Sequence, residues 1–183
     1  MGGKRTVMRP LDRQVILVTG ATDGLGRELA RRLAAAGATV LLHGRNRARG
    51  EALLREIRGA TGDHRASLHL ADLASLAEVR RLADDVLGSR DRLDVLVNNV
   101  GVGPGRPGAR REVSRDGFEL RFAVNYLALF LLTRLLRPLL VRSAPARIVN
   151  VASAGQASLD LDDPMLERGY DGAWPTAGAS SRW

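Results

Sequence analysis

The sequence predicts an α/β fold, a parallel sheet with helices on both faces, and three observations predict it. Hydrophobic period alternates between strand-like and helix-like along residues 14–151, the pattern of repeated βα units. An apolar segment, Val15-Ile16-Leu17-Val18, runs into a turn with glycines at 20, 24 and 26, then into a helix beginning Arg27-Glu28-Leu29-Ala30. Polar residues recur just beyond the following strands, where open α/β sheets bind ligands.

The elements follow in order. A first strand is expected over 14–19, with its helix over 24–36 ended by Gly37, as glycine commonly ends helices. Strand 39–42 leads to a helix over 48–59, strand 67–70 to a helix over 76–87, and strand 93–97 to a loop over 101–115. That loop is rich in Gly, Pro and Arg and is expected beside a ligand. A long helix over 117–140 carries Pro138 in its last turn, and a fifth strand covers 147–151. Apolar residues from Phe118 to Leu136 occupy nearly every face of this helix, so more than one side must be covered. One cover is the sheet; the other is a neighbouring helix or a second subunit. The expected organisation is a tail over 1–13, one domain over 14–172 and a second tail over 173–183.

Composition narrows the function. The chain has 183 residues, enough for one domain with a substantial core, and a net charge of +8. Lys4 is the only lysine and the arginines are scattered without interleaved aromatics, which reads as a GC-rich coding bias rather than a specific nucleic-acid surface. There are no cysteines, so thiol catalysis and disulfides are excluded; His43, His64 and His69 form no i,i+4 metal-binding pair. Residues 1–14 lack the apolar core of a signal peptide. The longest purely apolar run, 127–132, is too short to span a bilayer, so no membrane span and a cytoplasmic location are expected.

The glycine turn carries the chemistry. Gly20 permits the tight turn, Gly24 lets backbone approach a pyrophosphate, and Gly26 lets the helix pack against the strand. The helix N-terminus adds unpaired N–H groups and a partial positive charge. His43-Gly44-Arg45-Asn46 follows the second strand, where an acidic residue would bind a ribose 2′-hydroxyl. Arg45 stands there instead and suits a 2′-phosphate. Asp72-Leu73 follows the third strand, Asn98-Asn99-Val100-Gly101 the fourth, and Asn150-Val151-Ala152-Ser153-Ala154-Gly155 the fifth, while Val124-Asn125-Tyr126 lies in the long helix.

Together these segments resemble the short-chain dehydrogenase/reductase superfamily, in the flavour of its retinol-dehydrogenase-like and protochlorophyllide-reductase-like members. Asp116-Gly117-Phe118-Glu119, Val124-Asn125 and Phe130-Leu131-Leu132-Thr133 have close counterparts there, and the likeness covers about residues 14–172. The resemblance implies a Rossmann-type doubly wound sheet and hydride transfer between an alcohol and a carbonyl. It implies NADP(H), with NAD(H) as the other option, a small-molecule substrate and a homo-oligomer in the full-length form. By the same resemblance, Thr19, Gly20, Asp23, Gly24, Leu25 and Gly26 form the pyrophosphate turn. Asp72 and Leu73 meet the adenine, Asn98 and Gly101 line the cofactor cleft, Asn125 supports a proton relay, and Ser153 orients the substrate oxygen. From the residues alone, Asp72 could instead cap the next helix, Ser153 could be a turn serine, and Asn125 could satisfy a helix kink.

One family feature is missing. The family uses a tyrosine with a lysine four residues later, whose charge lowers the phenol pKa from about 10 towards neutrality. Here Tyr170 is followed at that spacing by Trp174, and no lysine occurs after Lys4. Back-translation of 173–183 with one shift of frame permits VAYGRSKLAL, which holds the missing tyrosine and lysine. The expectation is therefore an out-of-frame tail, a sheet cut off after about its fifth strand, and a chain without activity. A non-catalytic dinucleotide-binding or regulatory protein is the alternative, and a basic nucleic-acid adaptor a more distant one.

Overall fold

Side chains along the central strands alternate between two separate cores, which is what a sheet covered on both faces requires. The computed structural model describes residues 7–62, 64–103, 106, 109–152, 162–168 and 170. Its strands are β1 (Val15–Val18), β2 (Thr39–Gly44), β3 (Ser67–Leu70), β4 (Val95–Asn98) and β5 (Arg147–Asn150). They form one parallel sheet in the order β3-β2-β1-β4-β5. Helices α1 (Gly24–Ala35), α2 (Arg47–Thr61), α3 (Leu76–Ser89) and the long helix α4 (Leu120–Arg142) alternate with them.

Ile16, Val18, Val40 and Leu42 face a core shared with Ala30 and Ala34 of α1 and with Leu53 and Ile57 of α2. Val15, Leu17, Leu41 and Leu96 face the opposite core, with Val79 and Leu82 of α3 and Leu132 and Leu136 of α4. The sheet is thus wound on both faces, as expected. Gly26, Ala30 and Ala34 recur every fourth residue and give α1 its flat, closely packed face. At Gly26 an added Cβ would stand 2.3 Å from the Gly20 carbonyl oxygen, so any side chain there would push α1 off the strand.

Helix ends follow local chemistry. Asp23, Asn46 and Ser75 cap α1, α2 and α3, and Gly62, in the left-handed region at φ 65°, ends α2. Ser75 is the cap of α3, so Asp72 is released from that role. The long helix begins three residues later than expected. Gly117 sits at φ 83°, and the Asp116 carboxylate reaches across to accept the Leu76 N–H at 2.8 Å.

By length and mean hydropathy α4 is apolar enough to cross a membrane, its best window averaging 1.5 although arginines interrupt the apolar run. Its Ala128, Leu132, Leu136 and Leu139 are fully buried in the core beside α3, the position of a core helix. Below the sheet, Asp94 is fully buried and accepts from Val15 N–H, Arg9 and Arg92. Arg9 thereby ties the segment before β1 to the fold, and it also donates to the Ser143 carbonyl.

Candidate functional site

The strand order reverses between β1 and β4, and the crevice at that point opens at the carboxyl ends of the strands. Two side chains lock its base. Thr19 Oγ1 donates to Val97 O and accepts from the N–H groups of Asn99 and Val100. Asn99 Nδ2 returns bonds to the carbonyls of Thr19 and Gly20. Above this lock lies a cleft of about 680 Å³, within the range of small-molecule and cofactor sites.

Gly20, Asp23, Gly24, Leu25, Gly26, Arg45, Asp72, Leu73 and Gly101 all line the cleft, so the structure brings together most of the residues singled out from sequence. Three, Thr19, Asn98 and Asn125, do not line it. Thr19 is fully buried in the lock just described. Asn98 is buried because its amide donates to Asn150 Oδ1 at 2.8 Å and to Thr133 Oγ1 at 3.2 Å. Through its amide N–H groups, the polar residue at the end of β4 thus braces β4 against β5 and α4. Ser153 lies outside the described residues, as does the tail over 173–183; Val151, two residues before Ser153, lines the cleft.

The glycines have the shape of an anion cradle. Gly20 and Gly24 adopt φ 65° and 49°, a region that glycine enters without strain. A Cβ on Gly24 would meet nothing within 4 Å, so the space over the start of α1 is open to a ligand. Just beyond β2, Arg45 is exposed and makes no ion pair or hydrogen bond with any described residue. Beyond β3, Asp72 Oδ1 accepts from Ala74 N–H at 3.1 Å, and Arg115 stands 3.7 Å from its other oxygen. Glu78 accepts from Asp72 N–H and is held below the usual carboxylate range, first by that bond.

Asn125 holds the loop that leaves β4. Its amide reads the backbone of Val102 in both directions, accepting from Val102 N–H at 2.7 Å and donating to Val102 O at 3.1 Å. It sits in a π-helical turn, Ala123–Leu127, closed by the bond from Ala128 N–H to Ala123 O. Such turns are frequent at functional sites. Here the extra residue aims the Asn125 side chain at the loop leaving β4.

Among the cleft residues to which the sequence assigned no role are His43, Arg49 and Thr22. His43, 2% exposed, accepts from Gly20 N–H through Nδ1 and donates from Nε2 to Ala71 O, each at 3.2 Å. A neutral imidazole protonated at Nε2 satisfies both contacts. Burial pushes its pKa down from 6.5 to about 4. Arg49 lines the cleft mouth and pairs with Asp23 at 2.9 Å. Its place in the first turn of the helix that begins just after Arg45 was the available signal. Thr22 touches Gly44 so closely that a Cβ there would lie 2.4 Å from its methyl group.

A parallel sheet in this order, with a glycine turn at the switch point and an open cradle above it, defines a dinucleotide-binding α/β protein. Residues 14–159 match the short chain dehydrogenase family, so the chain belongs to that family. Human retinol dehydrogenase 13 is 38% identical over 152 residues, which cover 82% of this chain and 45% of that protein. The chain thus spans about half the length of the curated relatives it matches. Among solved structures, a Mycobacterium paratuberculosis protein superposes with a TM-score of 0.75 at 30% identity, covering 93% of this chain and 59% of that one. A short chain dehydrogenase of Escherichia coli CFT073, complexed with NADPH, matches with a TM-score of 0.67 at 32% identity. That match covers 83% of this chain and 62% of that one.

Proposed function

We propose that the cleft binds NADP(H) in preference to NAD(H), and that the parent activity is hydride transfer between an alcohol and a carbonyl. The single observation behind the cofactor choice is the unpaired Arg45 at the end of β2, with no acidic residue beside it. The residues present fit the group. Gly24 and the first turn of α1 would receive the pyrophosphate, Arg45 the 2′-phosphate, and Asp72 with Leu73 the adenine. When bound, the nicotinamide supplies or accepts the hydride. Asn125 fixes Val102, and with it the wall of the cleft beyond β4. Ser153 is the hydroxyl assigned to the substrate oxygen, on the strength of the family resemblance.

The 183-residue chain is proposed to bind cofactor without turnover. No lysine follows Lys4, and Tyr170 has Trp174 where the lysine would stand. A positioned acid or base contributes roughly 10²–10⁴-fold, and the charge that would tune a phenol is also absent. Cofactor titration combined with a turnover assay on aldehydes and ketones tests this. The expected result is NADPH binding with no measurable carbonyl reduction; reduction at ordinary enzyme rates would contradict it.

A further inference from the structure

We propose that Asp23 moderates the preference for a 2′-phosphorylated ligand by holding Arg49 in an ion pair that the phosphate must displace. This rests on the NADP(H) assignment above.

Asp23 ends the glycine turn and Arg49 lies in the first turn of α2, so their contact bridges two walls of the cleft mouth. Asp23 Oδ1 accepts from Gly24 N–H at 2.8 Å while Oδ2 accepts from Arg49 Nη1 at 2.9 Å. Among the described lining residues, Arg45 and Arg49 are the only arginines. Nearby Arg27 and Arg47 are engaged with Glu56 and Glu51. Arg45 is therefore ready for an anion, and Arg49 is occupied by a carboxylate of the chain itself. The two paired side chains are 63% and 79% exposed, so their pair is weak and a dianion can break it. The pair thus acts against the 2′-phosphate by keeping Arg49 from it until the carboxylate is displaced.

The fragments 2′,5′-ADP and 5′-AMP isolate the effect, because both carry a 5′-phosphate and differ in the 2′-phosphate alone. Calorimetric affinities for both would be measured in wild type, Asp23→Asn, Arg49→Gln, Arg45→Gln and the double variant Asp23→Asn/Arg49→Gln. Asparagine keeps an acceptor for the Gly24 N–H, so the cap of α1 survives. The expected result is a preference ratio for 2′,5′-ADP raised roughly twofold to fivefold in Asp23→Asn, with no such rise when Arg49 is already glutamine. An unchanged ratio in Asp23→Asn, or an equal rise in the Arg49→Gln background, overturns the inference alone. A wild type that binds both fragments equally, with Arg45→Gln making no difference, overturns the NADP(H) assignment and the inference with it.

Discussion

His43 joins three strand ends through one neutral ring: Gly20 after β1, its own place in β2, and Ala71 after β3. Burial is the main cause of its low pKa; the Ala71 carbonyl and Asp72 pull upward, and His69 adds to the lowering. Above pH 6.5 the ring is neutral in folded and unfolded chains alike, and its contribution is complete. As pH falls from 6.5 towards 4, the unfolded chain takes up a proton that the folded chain refuses, so stability declines. A shift from 6.5 to about 4 corresponds to about 3 kcal/mol lost across that window. Denaturant titrations at pH 7 and pH 4.5 should show a steeper loss in wild type than in His43→Asn, which does not titrate; equal losses would refute this. None of this was legible in the sequence, where His43 reads as one apolar-flanked strand residue. Gly20, Gly24 and Gly26 were legible because their spacing states a backbone requirement that no other residue meets. Thr19 and Asn98 carried polar side chains at the right strand ends, but sequence cannot tell a ligand contact from a brace between strands.

Strands and helices were legible to within a few residues because the period changes sharply and each helix has a chemical start or stop. The π-helical turn at Ala123–Leu127 was not, since the apolar pattern of α4 runs through it without interruption. Only Asn125 marked the place, as an amide that must be paired in such surroundings. Replacing it with leucine removes both bonds to Val102 and leaves that backbone without its partner. The expected cost is about 1–3 kcal/mol with weaker cofactor binding; a melting curve and a titration matching wild type would contradict the assigned role. Gly26→Ala tests the contact between α1 and β1. A Cβ at 2.3 Å from the Gly20 carbonyl must shift either the helix or the turn. A loss of about 1–3 kcal/mol is expected, accompanied by loss of dinucleotide binding, and unchanged binding would show that the turn tolerates the displacement.

At the scale of the molecule, β5 is the last strand of the sheet among the described residues, and its four residues are all exposed. Ile148 and Val149 stand 46% and 43% open, and Tyr126 and Phe130 stack on the outer side of α4 at 57% and 56%. An unpaired edge beside apolar surface promotes association. The 183-residue chain is expected to elute above monomer mass in size-exclusion chromatography with light scattering. Arg147 is no deterrent, since it lies at the start of the edge; Val149→Lys, a charge within the edge, should reduce the association, and a monodisperse wild-type monomer would refute the prediction. The half of the fold that binds the dinucleotide does not depend on this edge, because the cradle is built from β1, β2, α1 and the end of β3. The central claim is that this half selects a 2′-phosphorylated dinucleotide through Arg45, and parallel titration of NADPH and NADH against wild type and Arg45→Asp tests it most directly. A charge-assisted contact of about 1.5–3 kcal/mol predicts a tenfold to hundredfold preference for NADPH in wild type that disappears in Arg45→Asp. Equal affinities in the wild type, or a preference that survives the substitution, would contradict the account.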